Sequence, residues 1–194
     1  MRSSKSIVRS RVRCQGMTLI EVMIATVVIA IGLLGVAALQ VTALQGASNA
    51  DFRSKAIDFA SALSDRMHAN LLAFGEYNDD TTHDNAYTSA TAVDCATPPT
   101  TICAMTPSMN DDTGVSSCDP TQLANFDLWK VTCEGGVQTS LPGGRLTVTC
   151  LDNDATDADA CTDLSPVLIT VTWELQSDDN ATDEIVMAVL PGAP

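Results

Sequence analysis

Eighteen consecutive residues, Val22 to Leu39, carry no charge. As a helix rising about 1.5 Å per residue they would extend about 27 Å, close to the roughly 30 Å hydrocarbon thickness of a bilayer. Few soluble folds tolerate such a run near one end, so the segment predicts a membrane-spanning helix. Its opening is unusual. Glu21 stands at the mouth of the run, where an unpaired carboxylate is costly if drawn into lipid, so a carboxylate there implies a function.

Charge is divided sharply along the chain. Arg2, Lys5, Arg9, Arg11 and Arg13 are five of the ten basic residues, and no acid precedes Glu21. Without residues 1–16 the balance is 5 basic against 24 acidic side chains, a net charge of −19. A basic leader stays on the cytoplasmic side while the remainder crosses. The acidic remainder argues against a nucleic-acid surface, because that affinity is built on lysine and arginine neutralising phosphates. Ordinary signal-peptide processing near Ala38 is the competing reading of the amino end. The apolar run exceeds the usual h-region of about 7 to 15 residues, and Glu21 interrupts the approach to it.

Of seven cysteines, Cys14 lies in the basic leader. Cys95, Cys103, Cys118, Cys133, Cys150 and Cys161 form an even set beyond the apolar run, which fits disulfides in an oxidising compartment. Six cysteines allow about fifteen pairings, so nested and sequential orders both stay open. A zinc site has little support, since there is no CxxC pair and His68 and His83 stand apart from the cysteines.

Beyond Leu39, Phe52, Ala56, Phe59, Ala60, Leu63, Met67, Leu71 and Phe74 recur in steps of three and four, one stripe of a helix. Together with the apolar run they predict a continuous helix from Thr18 to Phe74. Gly32 and Gly35 within it suit either local give or close packing between helices. Residues 76–121 are rich in Thr, Ser, Asp, Asn and Pro without periodicity and predict a long loop held by its cysteines rather than by a core. Strand signals follow. Leu146, Val148 and Cys150 alternate after the Leu141-Pro142-Gly143-Gly144 turn. Val167 to Leu175 and Ile185 to Val189 alternate likewise, and Leu128 to Cys133 is a shorter fourth candidate. Ser177 to Asn180 reads as a hairpin turn.

The basic leader, the Gly16-Met17-Thr18-Leu19-Ile20-Glu21 junction and the run through Ile31-Gly32-Leu33-Leu34-Gly35-Val36-Ala37-Ala38-Leu39-Gln40 together resemble a type IV prepilin. The last ten residues, the Leu-Pro-Gly-Gly turn and the Thr170-Val171-Thr172-Trp173 strand resemble the minor pilins called type IV pilus modification protein, PilV-like. The resemblance implies cleavage by prepilin peptidase between Gly16 and Met17 and N-methylation of Met17, where the family usually has phenylalanine. It also implies that Glu21 pairs with the amino terminus of a neighbouring subunit. The implied fold is α+β: a long amino-terminal helix, half transmembrane and half amphipathic, packed on a small antiparallel sheet with disulfide-linked loops. The implied divisions are leader 1–16, transmembrane and assembly helix 17–45, amphipathic half 46–75, variable loop 76–121 and sheet 122–194. Pilins often bridge a loop near the carboxyl end, which makes Cys150 with Cys161 the preferred pair.

The implied partners are other minor pilins, the major pilin, prepilin peptidase and the membrane, with no nucleic acid. The implied location is the inner membrane, single-pass with a periplasmic carboxyl-terminal domain, and then the fibre. No enzymatic constellation stands out and no cofactor is expected. Asp152, Asp154 and Asp163 fall at positions one, three and twelve of an EF-hand-like spacing, a weak calcium candidate because position six is Asp157 rather than glycine. Two alternatives remain: a minor pseudopilin of a type II secretion system, whose leaders are commonly shorter and less basic, and a soluble, disulfide-rich secreted binding module.

Overall fold

The computed structural model describes residues 16–74, 85–88, 93–104, 115–152, 156, 161, 165–175 and 181–190. The chain divides into two units, 1–44 and 45–194. Helix α1, Leu19–Ala69, belongs to both.

In the first unit every described residue is exposed, including Leu19, Ile29, Leu34 and Leu39. The most apolar 18-residue window of α1 has a mean hydropathy of 2.7, and none of it is buried by the protein itself. Two hydroxyls in this stretch are satisfied locally. Thr26 Oγ1 donates to Met23 O at 2.9 Å and Thr42 Oγ1 to Ala38 O at 3.2 Å, so neither hydroxyl brings an unpaired group into an apolar medium. A methyl group built on Gly32 or Gly35 would meet nothing within 4 Å. Neither glycine is required by a contact inside the protomer.

The second unit is built around a three-stranded antiparallel sheet of order β1-β2-β3: Arg145–Cys150, Val167–Glu174 and Thr182–Val189. Leu146 faces Val171 and Val148 faces Ile169 across one ladder; Ile169 faces Met187 and Val171 faces Ile185 across the other. The predicted alternation sets these side chains on one face. From α1, Ala56, Ala60, Leu63 and Met67 complete the core with no exposed surface, and Phe52, Phe59 and Leu71 flank them. The connection from β2 to β3 closes through Leu175 N–H donating to Ala181 O at 2.8 Å; the predicted turn at Ser177 to Asn180 lies outside the described residues.

Three sequence expectations need correction. The long helix stops at Ala69 instead of reaching Phe74. Asn70 is buried and gives its side-chain amide to Pro120 O at 2.8 Å, and Leu71–Phe74 continues as a 3-10 turn. The predicted strand Leu128 to Cys133 is instead mostly helix α2, Pro120–Thr132. Asp119 caps that helix: its carboxylate accepts from Gln122 N at 2.8 Å, Gln122 Oε1 accepts from Asp119 N at 3.2 Å, and Pro120 occupies the first turn. Ala124, Leu128 and Val131 then bury one side at helical spacing. The segment assigned wholly to sheet, 122–194, thus begins with α2 and a single helical turn, α3, Val137–Ser140. Last, the loop is not held by cysteines alone, because Tyr87 within it is fully buried in the core.

Candidate functional site

Glu21 lies in the first turn of α1. Thr18 precedes the helix, and its Oγ1 accepts from Glu21 N at 3.4 Å, a long version of an N-terminal cap. A carboxylate in this turn is favoured by the helix dipole. Among the described residues nothing in the protomer forms an ion pair with it, so both oxygens are free for a cation from outside. Gly16 and Met17 precede this turn, outside the helix and exposed. The geometry combines an exposed apolar rod with an open carboxylate at its amino end, neither of them partnered among the described residues.

In the second unit the polar residues converge instead on a structural lock. Arg66 Nη1 on α1 lies 2.5 Å from Asp127 Oδ1 on α2. Tyr87 OH lies 3.3 Å from Asp127 Oδ2 and 3.4 Å from Arg66 O, two acceptors for its one proton, and it accepts from Asn70 Nδ2 at 3.3 Å. Burial, with a smaller contribution from Asp127, pushes the Tyr87 hydroxyl far above the ordinary tyrosine value. The cluster holds no nucleophile and no metal-ligand set; it ties helix, loop and α2 together. His68, the one described histidine, turns Nδ1 to Ser64 O at 2.8 Å on the helix surface.

The cysteines pair as Cys95–Cys133, Cys103–Cys118 and Cys150–Cys161. The second is nested inside the first and the third follows in sequence. Cys95–Cys133 fastens the loop to the end of α2, and Cys150–Cys161 closes the loop leaving β1. Of the calcium candidates only Asp152 is described; Asp154 and Asp163 lie outside the described residues, as do His83 and Cys14.

Sequence reasoning missed the lock. The signal available was Asp119-Pro120-Thr121-Gln122, a helix start that would have placed Asp127 on the buried side of α2 with Leu128 and Val131.

A model of the prokaryotic N-terminal methylation motif matches residues 11–37, covering the end of the leader, Glu21 and most of the apolar run. A second family model, described as type IV pilin Tt1218, matches residues 38–129, from the end of that run through most of α2. No curated protein and no solved structure matches the chain. The two matched stretches adjoin and span more than half of the sequence, and the structure supplies the long amino-terminal helix, the small antiparallel sheet and the three disulfides. The chain therefore belongs to the type IV pilins, membrane-anchored structural subunits whose amino-terminal helix carries the methylation motif.

Proposed function

We propose that this pilin is a minor one of the PilV-like kind. It is held in the inner membrane by the first half of α1, with its acidic headgroup in the periplasm, and joins other minor pilins and the major pilin in the complex that primes a type IV pilus. Placed at the fibre tip, the headgroup would influence adhesion. Prepilin peptidase would cut between Gly16 and Met17, and the methylated amine of Met17 would meet Glu21 of a neighbouring subunit. One observation supports this above all: an apolar helix half with every described residue exposed, opened by a carboxylate that has no ion pair among the described residues. A helix of that kind is stable only when lipid or other helices cover it, and the two charges, both leaving water, gain most by meeting each other.

Amino-terminal sequencing of the protein from membranes, with co-purification of its neighbours, tests the reading. A chain starting at methylated Met17 and accompanied by pilus subunits is expected. A chain starting near Leu39 would make the protein a soluble secreted module, and secretion-system subunits in place of pilins would make it a pseudopilin.

A further inference from the structure

Beyond the leader the chain has five cations, and four are paired at home. Arg53 lies 3.7 Å from Asp183, Lys55 2.7 Å from Asp51, Arg66 2.5 Å from Asp127 and Lys130 3.9 Å from Glu134. Arg145 is the exception. Among the described residues it is the one cation whose side chain has neither ion pair nor hydrogen bond, although acids outnumber bases almost fivefold in this part of the chain. It is exposed at the first position of β1 and lines an open cavity of about 490 Å³ with Val93, Asp94, Gln138, Gly143 and Gly144.

The cavity is shaped by the turn that precedes the strand. Gly143 takes φ +59°, and Gly144 N–H donates to Leu141 O at 3.1 Å. A side chain at Gly143 would collide with the Glu174 carboxyl, and one at Gly144 with Val137 O, so the wall beside Arg145 has to stay bare backbone. The acids nearby do not neutralise the guanidinium. Asp94 accepts from Ala96 N–H at 2.9 Å and from Thr97 Oγ1 at 3.2 Å, and neither Asp94 nor Glu174 forms an ion pair with Arg145.

We propose that Arg145 is a subunit contact: its guanidinium receives an Asp or Glu side chain from a neighbouring pilin subunit. The inference rests on the pilin reading and adds a site to it. A planar guanidinium binds a carboxylate through two parallel hydrogen bonds, and Gln138 adds an exposed amide beside it. Charge complementarity selects the occupant. Asp94 along the rim repels a multiply charged anion such as phosphate, whereas a single carboxylate on an apolar stem sets its charge against Arg145 and its methylenes against Val93. Between acidic headgroups, the one uncommitted cation is also where mutual repulsion can be relieved.

The test uses the full-length protein in detergent-solubilised membranes. In R145K the new amine can be coupled by a water-soluble carbodiimide to any carboxylate it touches. The expected result is an amide between position 145 and an acid of another pilin subunit, identified by mass spectrometry. In parallel, R145E should lower co-purification of pilin subunits at least about tenfold. R53E, which changes net charge equally, should not, and all three disulfides should stay intact in both variants. A coupling product only with the chain's own Glu174 or Asp94 overturns the proposal. So does unchanged co-purification in R145E, an equal loss in R53E, or coupling suppressed by millimolar phosphate. If the wild type itself brings down no pilin, the minor-pilin reading fails first and the Arg145 contact falls with it; the wild-type lane separates that failure from the others.

Discussion

Asp127 on α2 is 4% exposed, and its Oδ1 lies 2.5 Å from Nη1 of Arg66 on α1, a buried acid held by a partly exposed base. Such a pair is worth more as a constraint than as net stability, because burying the carboxylate costs much of what the pairing returns. Removing one partner is different. Arg66→Ala leaves Asp127 buried without its cation and is expected to lower stability by about 3 kcal/mol. Replacing both, R66M with D127L, should recover most of that loss. Urea unfolding of the solubilised protein followed by tryptophan fluorescence checks both, since Trp129 and Trp173 report on α2 and the sheet.

Tyr87 makes the same lock sensitive to alkali. Its ionisation is raised in the folded protein, chiefly because the ring is buried. A raised value means that stability from the neutral hydroxyl is complete below the unfolded value, about 10, and is lost as pH climbs above it. The headgroup should therefore melt at progressively lower temperature above about pH 10. Tyr87→Phe should remove that alkaline dependence while costing about 1 kcal/mol at neutral pH for the lost hydrogen bonds. A melting profile against pH in both proteins shows it; parallel curves above pH 10 would contradict the assignment.

The elements legible in the sequence were those whose period is set by one large partner surface. Ala56, Ala60, Leu63 and Met67 face the sheet, and Leu146, Val148, Val167, Ile169, Val171 and Trp173 face back, so their 3.6- and 2-residue rhythms are clean. Helix α2 was missed because its buried side includes Thr132 and Asp127, polar residues that break an apolar stripe, and the partners that make burial of Asp127 tolerable are not visible locally. Those partners lie 61 residues away for Asp127, and no local pattern announces them. The end of α1 was misplaced for a similar reason: Asn70 stops the helix through contacts with Pro120 and Tyr87, both remote in sequence. At the amino end the reverse holds. Glu21 and the apolar run stood out because no described residue buries or pairs with them, so nothing in the fold disguises them.

The three disulfides should differ in what they contribute. Cys95–Cys133 spans 38 residues, Cys103–Cys118 spans 15 and Cys150–Cys161 spans 11. By the chain-entropy estimate their removal costs about 4, about 3 and just under about 3 kcal/mol respectively. The first should have the larger effect for a second reason, since of the three disulfides it is the one that fastens the loop to the end of α2. Paired serine substitutions, compared by melting temperature, are expected to rank in that order. A C95S/C133S protein no less stable than C103S/C118S would show that the lock at Tyr87 already holds the loop in place.

Gly136 and Gly32 make opposite demands on the same substitution. A methyl group on Gly136 would lie 1.8 Å from Val131 O, with no flexible side chain to move away, whereas one on Gly32 meets nothing within 4 Å. Gly136→Ala should unfold the end of α2, with a loss of several kcal/mol typical of severe overpacking against backbone. Gly32→Ala and Gly35→Ala should leave headgroup melting unchanged and stiffen the apolar helix by about 1 kcal/mol each. Any defect they cause must then appear only on assembly, where close helix approach or helix give is needed. Thermal melts beside fibre counts by electron microscopy distinguish the two sites.

Glu21 has two roles available in its position, and one substitution separates them. As a member of the first helical turn it is favoured by the helix dipole and follows Thr18, whose Oγ1 accepts its backbone N–H at 3.4 Å. Glu21→Gln keeps that backbone bond, the side-chain length and much of the capping capacity while removing the charge. If the first turn were all that mattered, E21Q would assemble normally. If the carboxylate meets the liberated amine of a neighbour, E21Q leaves an ammonium group unpaired in an apolar setting, and incorporation into fibres should fall steeply while cleavage after Gly16 and membrane retention persist. The measurement is the ratio of processed protein in sheared fibres to that in membranes, for wild type, E21Q and E21A. Equal ratios for all three would end the pairing interpretation; loss in both variants, with processing intact, assigns Glu21 its partner outside the chain.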